Sequence, residues 1–168
     1  MGLVRARVRG LMMDERSKSP IVILQEEDGE RILPIWIGES EARAIGVILA
    51  GESLERPLTH DLIAILIKSL KAKVVSISIT SLKENTFFAE IQMELNGERV
   101  LVDARPSDSI AIALRTGADI LVDDDVMGSG QSVGWSGKKV EKTEKEKAEE
   151  LRKFLEDMDP GDFGRFGI

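Results

Sequence analysis

The chain has 168 residues, of which 42% are hydrophobic, and this length is sufficient for one domain with a buried core. It carries 23 basic and 30 acidic residues, and the net charge of -7 excludes a general electrostatic attraction to nucleic acid. Cysteine is absent, which excludes disulfide bonds and thiolate metal sites. No apolar run approaches the ~18 residues of a membrane span, and residues 1–10 lack the apolar core of a signal peptide. We therefore expect a cytoplasmic protein with no membrane partner.

The first predicted strand carries three arginines on one face, because Arg5, Arg7 and Arg9 alternate with apolar residues. A strand with one solvated face explains this pattern. The same arginines could instead form a local basic patch for phosphate groups, and the sequence leaves both interpretations open.

The chain contains an internal duplication with an offset of 68 residues. The stretch DGERILPIWIGESEARAI (28–45) matches NGERVLVDARPSDSIAIA (96–113), and the match pairs Leu33 with Leu101. Both stretches open with a hairpin dipeptide, Asp-Gly or Asn-Gly, whose glycine tolerates the positive φ of a tight turn. Each copy continues through a strand into a short helix, so each is predicted to form a β-β-β-α unit.

A further helix is predicted between the two units, from about Thr59 to Lys71. Its apolar stripe consists of Leu62, Ile63, Leu66 and Leu70. The strands of the second unit alternate apolar and polar residues, as half-buried strands do. Six strands in hairpins, with the helices segregated from them, predict an α+β fold in which helices pack on a largely antiparallel or mixed sheet.

The remainder of the chain differs in composition. A short predicted strand, ADILVD, is followed by a Gly- and Ser-rich stretch and then by a charged helix with a narrow apolar seam. We expect this seam to dock on the domain or on a second subunit. The predicted organisation is therefore a domain at residues 1–126, a linker at 127–140, and a C-terminal charged helix and tail at 141–168.

The start of the helix between the units, in ERPLTHDLIAIL, contains the single histidine of the chain. Thr59 is a natural N-cap there, and Asp61 in the first turn suits the helix dipole. Neither capping nor the dipole accounts for His60. This histidine is either a buried structural residue or a general acid or base, since an imidazole ordinarily titrates near neutral pH.

Two further stretches offer carboxylates. In GESEAR, Glu39 and Glu41 fall in the first turn of a predicted helix, where they suit the dipole and could equally hold a hard cation such as Mg²⁺. In VDDDV, three consecutive aspartates (123–125) could bind a divalent ion or form a solvated turn.

A fourth stretch, VDARPSDSIAIALR, begins the last helix of the second unit. Ser107 is a plausible N-cap, and Asp103 and Arg105 share one face of the preceding strand, either as an ion-pair network or as part of a site. In the alignment of the two units, residues 107–108 of the second unit match residues 39–40 of the first. We therefore expect the two helix starts to be related by an internal pseudo-two-fold axis.

Four stretches together resemble the bifunctional nuclease domain family in their order and spacing: ILPIWIGESEARAI, RPLTHDLI, SLKENTFFAEI and VDARPSDSIAIALRTGADI. The resemblance extends from about Leu3 to Val126, and the family is described as acting on both DNA and RNA. It implies a homo-oligomeric α+β domain, a dimer or higher, with nuclease activity and nucleic acid as its substrate. The residues that match the family's motifs are Glu39, Glu41, Arg43, Arg56, His60, Asp61, Lys83, Asn85, Thr86, Asp103, Arg105, Ser107 and Asp108.

The chemistry of phosphodiester hydrolysis selects candidate roles among these matched residues. The predicted catalytic residues are His60, as general acid or base, and three carboxylates, Asp61, Asp103 and Asp108. One or two Mg²⁺ or Mn²⁺ ions, held by Glu39, Asp103 and Asp108, would activate water and neutralise charge on the phosphate. The residues expected to bind the substrate are Arg43, Arg56, Lys83, Arg105 and Ser107.

The alternative hypothesis is a non-catalytic oligomeric binding or regulatory module. On this interpretation THD and PSDS are helix caps, and the Arg and Asp residues form buried ion pairs. The two hypotheses make different structural predictions. Catalysis requires His60 and at least two of the carboxylates within about 8 Å of one another at an open cleft, whereas the module requires scattered or paired carboxylates.

Overall fold

The computed structural model describes residues 2–130 and, beyond them, residues 149, 152, 153 and 156, which are helical. The elements of residues 2–130 are, in chain order, β1 (Leu3–Met13), β2 (Pro20–Glu26), β3 (Ile32–Trp36), α1 (Glu39–Leu49), α2 (Thr59–Ser69), β4 (Lys73–Lys83), β5 (Thr86–Leu95), β6 (Glu98–Ala104), α3 (Pro106–Thr116), β7 (Asp119–Asp123) and α4 (Asp124–Ser129). Most of the predicted linker and C-terminal helix, with its apolar seam, lies outside the described residues.

The sheet has seven strands in the order β3-β2-β1-β7-β4-β5-β6. β7 lies at its centre, antiparallel to β1 and parallel to β4. The strands of the first unit therefore lie on one side of β7 and those of the second unit on the other, related by an approximate two-fold axis. The predicted α+β class, the two β-β-β-α units and the mixed sheet are confirmed.

One face of the sheet forms the hydrophobic core with α1, α2, α3 and α4. Its fully buried residues include Leu24 and Leu33 from the first unit, Ile77 and Ile79 from the second, and Ile110 of α3. The helices thus share one side of the sheet, and their first turns can meet there. Among the described residues, the helices are too short or too polar to span a membrane.

The hairpins of the two units differ, which corrects one expectation from the sequence. Asn96 and Gly97 have φ angles of 54° and 81°, as a two-residue turn between β5 and β6 requires. Gly29 does not have a positive φ. The first hairpin is closed by a hydrogen bond from the Glu26 N–H to the Arg31 carbonyl, so its loop is longer and needs no left-handed glycine.

The longer first loop shifts the following strand by one residue relative to the sequence match. Leu33 is fully buried in the core, whereas its matched residue, Leu101, is 54% exposed on the other face of the sheet. Successive strand residues point to opposite faces, so a one-residue shift exchanges core and solvent. An offset of 67 residues pairs Leu33 with Val100, and it also aligns the first residue of α1 with that of α3.

The predicted apolar stripe of α2 was wrong except at one residue. Ile63 packs against the core together with Ile67, but Leu62, Leu66 and Leu70 are 50%, 53% and 69% exposed. The inward side of α2 uses residues 60, 63 and 67, because α3 rather than the sheet is its main neighbour. A second apolar side of α2 therefore faces outward.

Candidate active site

The first turns of α1, α2 and α3 meet through four side chains, which we call the His60 cluster: His60, Asp108, Arg105 and Glu41. Glu41, Asp61 and Asp108 each occupy the third position of their helix. A carboxylate there suits the helix dipole and the unpaired N–H groups of the first turn. Local helix chemistry therefore places the carboxylates, and the tertiary fold brings two of them to His60.

His60 lies on the inner side of α2 and is 9% exposed. Its Nε2 atom is 2.8 Å from Oδ1 of Asp108 on α3. A carboxylate hydrogen-bonded to one imidazole nitrogen fixes the orientation of the ring and stabilises its protonated form. The His60–Asp108 pair thus has the arrangement of a general acid or base oriented by a second group.

Arg105 joins the two units of the fold. Its guanidinium is 2.8 Å from Glu41 of α1 and 2.7 Å from Asp108 of α3, and its side chain is 65% exposed. Glu41 and Asp108 are equivalent at the offset of 67, so the two helix starts are related as predicted, but with a pairing one residue away from the predicted one. An exposed guanidinium beside a His–Asp pair is suitably placed to contact a phosphate group.

The contacts of the His60 cluster keep its carboxyl groups ionised. Burial would raise the pKa of Asp108, but the hydrogen bonds with Arg105 and His60 outweigh burial and hold this pKa below its ordinary value. Burial of Glu41 is likewise outweighed, by a backbone hydrogen bond and by Arg105, and the pKa of Glu41 is lowered. Both groups are negatively charged at neutral pH, so the carboxylates of the cluster accept hydrogen bonds and do not donate them.

Asp61 makes different contacts from those of its neighbour His60. One carboxylate oxygen accepts a hydrogen bond of 2.8 Å from the N–H of Leu58, and the other accepts from Arg115 at the end of α3. Burial would raise the pKa of Asp61, but these two hydrogen bonds lower it. Leu58, and not Thr59, is the N-cap of α2, which corrects the predicted cap. The imidazole therefore pairs with a distant aspartate rather than with the adjacent one.

Three other predicted site residues lie apart from one another. In the β5–β6 register Asp103 lies opposite Glu90, on the face of the sheet away from the core. Glu39 is exposed in the first turn of α1. Ser107 is 6% exposed in the first turn of α3, and the N-cap there is Arg105, so the predicted serine cap was wrong.

The predicted substrate-binding cations are also dispersed. Arg43 is 7% exposed within α1, and Arg56 is exposed in the loop before α2. Lys83 ends β4, with its Nζ atom 5.7 Å from the centre of the Phe88 ring. Of the predicted set, Arg105 is the residue that belongs to the His60 cluster.

The described residues contain no group of three histidine, aspartate or glutamate side chains positioned to hold a metal ion. Asp103 and Asp108 line one groove, but Glu39 is exposed in the first turn of α1, and Asp108 is already bridged to Glu41 by Arg105. The described part of a single copy therefore does not fit the predicted metal site.

The run of aspartates at 123–125 is a helix start and not a solvated turn. Asp123 is the N-cap of α4, and its carboxylate accepts a 3.0 Å hydrogen bond from the N–H of Asp125. Asp124 forms an ion pair of 2.9 Å with Arg31. Capping accounts for the carboxylate of Asp123 and ion pairing for that of Asp124.

Glu41 was predicted only as a helix-start carboxylate or a possible cation ligand, and Arg115 was not predicted, although the sequence contains a signal for each. Arg115 follows Asp108 by two helical turns, a spacing that places both on one side of α3. Glu41 becomes the counterpart of Asp108 once the duplication is aligned by the starts of the helices. That alignment requires the loop lengths, which the sequence match did not reveal.

The fold and the His60 cluster define an α+β protein with an acid–base site at the meeting point of three helix starts. A model of the Bifunctional nuclease domain family matches residues 22–133, and the chain belongs to this family, as the resemblance implied.

Relatives cover this chain to different extents. An uncharacterized protein of Mycobacterium tuberculosis (strain ATCC 25618 / H37Rv) is 39% identical over 160 residues, which are 94% of this chain and 96% of that protein. Bifunctional nuclease 2 of Oryza sativa subsp. japonica is 27% identical over 118 residues, 68% of this chain and 36% of the rice protein. Bifunctional nuclease 2 of Arabidopsis thaliana is 28% identical over 105 residues, 60% of this chain and 32% of the plant protein.

Proposed function

We propose that the protein is a nuclease that hydrolyses phosphodiester bonds in DNA and RNA. The observation that carries the proposal is the hydrogen bond between His60 and Asp108, next to the exposed guanidinium of Arg105. Membership of the bifunctional nuclease domain family, and the names of the two plant relatives, support the same chemistry.

The His60 cluster supplies two of the groups that this hydrolysis requires. Ionised Asp108 orients His60 and stabilises its imidazolium form, so His60 can accept a proton from the attacking water or donate one to the leaving oxygen. Arg105 binds a phosphate oxygen and offsets the negative charge that develops there. In doing so the guanidinium exchanges part of its contact with Glu41 for the phosphate.

A requirement for Mg²⁺ or Mn²⁺ is a separate proposal, and none of the steps above passes through a metal ion. Mg²⁺ is commonly held by one or two carboxylates together with the substrate phosphates, so a complete protein cage is not a precondition. We expect EDTA to abolish cleavage and added Mg²⁺ or Mn²⁺ to restore it. Full activity in EDTA would contradict the metal proposal and leave the role of His60 intact.

The test of the role of His60 is cleavage of end-labelled single-stranded DNA and RNA by the wild type and by His60→Gln. Glutamine can retain a hydrogen bond to Asp108 but cannot transfer protons near neutral pH, so we expect the rate to fall by at least about 100-fold. Asp108→Asn should lower the rate by a similar factor of about 100, because the imidazolium loses its carboxylate.

The matched control for these variants is Asp119→Asn. It removes an exposed carboxylate whose partner is Arg5, on strands away from the His60 cluster. We expect wild-type cleavage from this variant. A His60→Gln rate within about threefold of the wild type would contradict the proposed role of His60.

A second candidate function is a binding or regulatory module without catalysis. Its support is that the three helix-start carboxylates are all paired with arginines, Glu41 and Asp108 with Arg105, and Asp61 with Arg115. Such pairs stabilise the meeting of three helices with no reaction at all. Freshly purified protein that binds an oligonucleotide but leaves it uncut, with or without Mn²⁺, would favour this function.

A further inference from the structure

The first turn of α2, which carries His60, is held mainly by its contacts with α3. Residues 50–57, which precede this helix, are all exposed. His60 is the one residue of α2 that is buried, and the main neighbour of α2 is α3. The orientation of the imidazole therefore depends on the contacts that join this turn to α3.

Two adjacent residues of this turn contact α3 at separate points. His60 donates from Nε2 to Asp108, because an ionised carboxylate can only accept a hydrogen bond. Asp61 accepts a hydrogen bond from Nε of Arg115. Asp108 and Arg115 are two helical turns apart on α3, which corresponds to about 10 Å along the helix axis. A single contact leaves the turn free to rotate, whereas two separated contacts fix its rotation.

Asp61 also connects Arg115 to the backbone of α2. Its second carboxylate oxygen accepts a hydrogen bond of 2.8 Å from the N–H of Leu58, the N-cap of this helix. Arg115 in turn donates from Nη1 to the carbonyl oxygen of Ala111 on α3, at 2.9 Å. A continuous series of hydrogen bonds therefore joins the backbone of α3 to the backbone at the start of α2. His60 lies between Leu58 and Asp61, within the turn that this series holds.

Stability alone does not account for an arginine at position 115. Its side chain is 4% exposed, and its Nη2 atom has no hydrogen-bond partner among the described residues. A buried donor without a partner destabilises the folded state. Apolar side chains could join the two helices at least as well, and a cation that only complements the helix dipole could remain exposed. The guanidinium adds direction, because its planar N–H groups fix the angle at which Asp61 meets α3.

We propose that Arg115 is a positioning residue for the nuclease reaction, and that it acts through Asp61 to hold the imidazole of His60 against Asp108. Its role in cleavage rests on the proposed function of the His60 cluster. A catalytic group that is displaced by about 1 Å can lose a factor of about 100 in rate. Asp61, which the sequence predicted to be catalytic, then contributes by position and not by proton transfer.

The first test is steady-state cleavage of end-labelled single-stranded DNA by Arg115→Gln. We expect kcat to fall by at least about tenfold and KM to stay within about twofold of the wild type, because the buried Arg115 does not contact the substrate. Arg31→Gln is the matched control and should keep the wild-type kcat. Arg31 is a partly buried arginine that pairs with Glu26 and Asp124, and it precedes β3 whereas α1 follows that strand.

The second test separates action through His60 from a general loss of structure. In a His60→Gln background, Arg115→Gln should lower kcat by less than about twofold more, because the group that it positions is absent. A general structural defect would lower kcat by the same factor in both backgrounds. Asp61→Asn is a second variant, which keeps the hydrogen bond from Leu58 but removes the charge that faces Arg115. It should behave as Arg115→Gln does, so the test does not depend on how well one variant folds.

The third test does not involve cleavage. The chain has a single histidine, so the NMR signals of imidazole protons come from His60 alone. We expect the Nε2 proton to exchange with water at least about tenfold faster in Arg115→Gln than in the wild type or in Arg31→Gln, because the hydrogen bond to Asp108 opens more often.

Three results would each overturn the proposal. They are a kcat within about threefold of the wild type for both Arg115→Gln and Asp61→Asn, an equal further loss with and without His60, and an unchanged exchange of the Nε2 proton. A wild type that cleaves no nucleic acid would instead overturn the proposed function. The proton exchange would then decide by itself whether Arg115 holds His60 in place.

Discussion

The two β-β-β-α units have the same topology but contribute differently to the molecule. In the first unit, β2 is buried from Pro20 to Leu24, and residues 42–47 of α1 are all buried. In the second unit, β6 is an exposed edge strand, and the start of α3 supplies Arg105 and Asp108 to the His60 cluster. The first unit thus supplies mainly buried surface and Glu41, and the second supplies Arg105, Asp108 and part of the open groove. Two units with the same topology can therefore differ in how deeply their equivalent residues are buried.

The largest expected effect concerns the two leucines that the sequence match pairs. Leu33→Ala should lower the free energy of unfolding by about 3 kcal/mol, because Leu33 is fully buried in the core. Leu101→Ala should change it by less than about 0.5 kcal/mol, because Leu101 is 54% exposed. Urea unfolding of both variants measures the difference. Equal losses would mean that Leu33 in β3 and Leu101 in β6 are buried to the same extent, which contradicts the one-residue shift between the two strands.

The next effect distinguishes a partly buried ion pair between α2 and α3 from an exposed pair between β1 and β7. Arg115 has a side chain only 4% exposed and pairs with Asp61. Asp61→Ala leaves that guanidinium without its carboxylate and should cost about 2 kcal/mol, less than for a fully buried pair because Asp61 is partly exposed. Asp119→Ala breaks the exposed pair with Arg5 and should cost at most about 0.5 kcal/mol. Thermal unfolding of the two variants measures the loss of stability in each. Similar losses for both would refute this distinction.

A smaller effect compares the two hairpins. Gly97→Ala forces a side chain into a position with φ of 81° and should cost about 1 kcal/mol. Gly29 has no positive φ, and a methyl group there would meet the Glu26 side chain, whose carboxylate accepts hydrogen bonds from Arg31. Gly29→Ala should therefore cost less than Gly97→Ala, because it requires a shift of one side chain and no left-handed backbone. Chemical denaturation of the two variants measures the free energy of unfolding of each. Equal losses would mean that the left-handed backbone at residue 97 carries no extra cost.

The smallest effect concerns the carboxylates that Arg105 bridges, one from each unit. The pKa of Glu41 and of Asp108 is lower in the folded protein than its ordinary value, so the folded state binds fewer protons than the unfolded state. This stabilisation is present above the unfolded pKa values near 4 and is lost as the pH falls through the folded values.

Arg105→Gln tests this pH dependence. The variant should lose less stability than the wild type between about pH 6 and pH 3, by about 0.5 kcal/mol, because solvent screens a side chain that is 65% exposed. Urea unfolding at a series of pH values provides the measurement. Parallel pH curves for the two proteins would show that Arg105 does not lower these pKa values.

Much of the fold could be predicted because its signals are local. Apolar alternation identifies the strands, and Asn96-Gly97 has the chemistry of a two-residue hairpin turn. The third-position carboxylates mark the beginnings of helices. Local patterns could not predict which residues of β3 face the core or which side of α2 faces outward. The length of the loop before β3 decides the former, and the position of α3 beside α2 decides the latter.

The candidate site divides in the same way. The sequence by itself determined the duplication, the α+β class, the family and the residue types of the His60 cluster, because each is encoded within a short stretch. Only the tertiary structure decided that His60 pairs with Asp108, 48 residues away, and not with the adjacent Asp61. It also decided that Arg105 links the two units and that Asp103 faces away from them. The physical reason is that side-chain pairing depends on how helices and strands pack, and no local pattern records that packing.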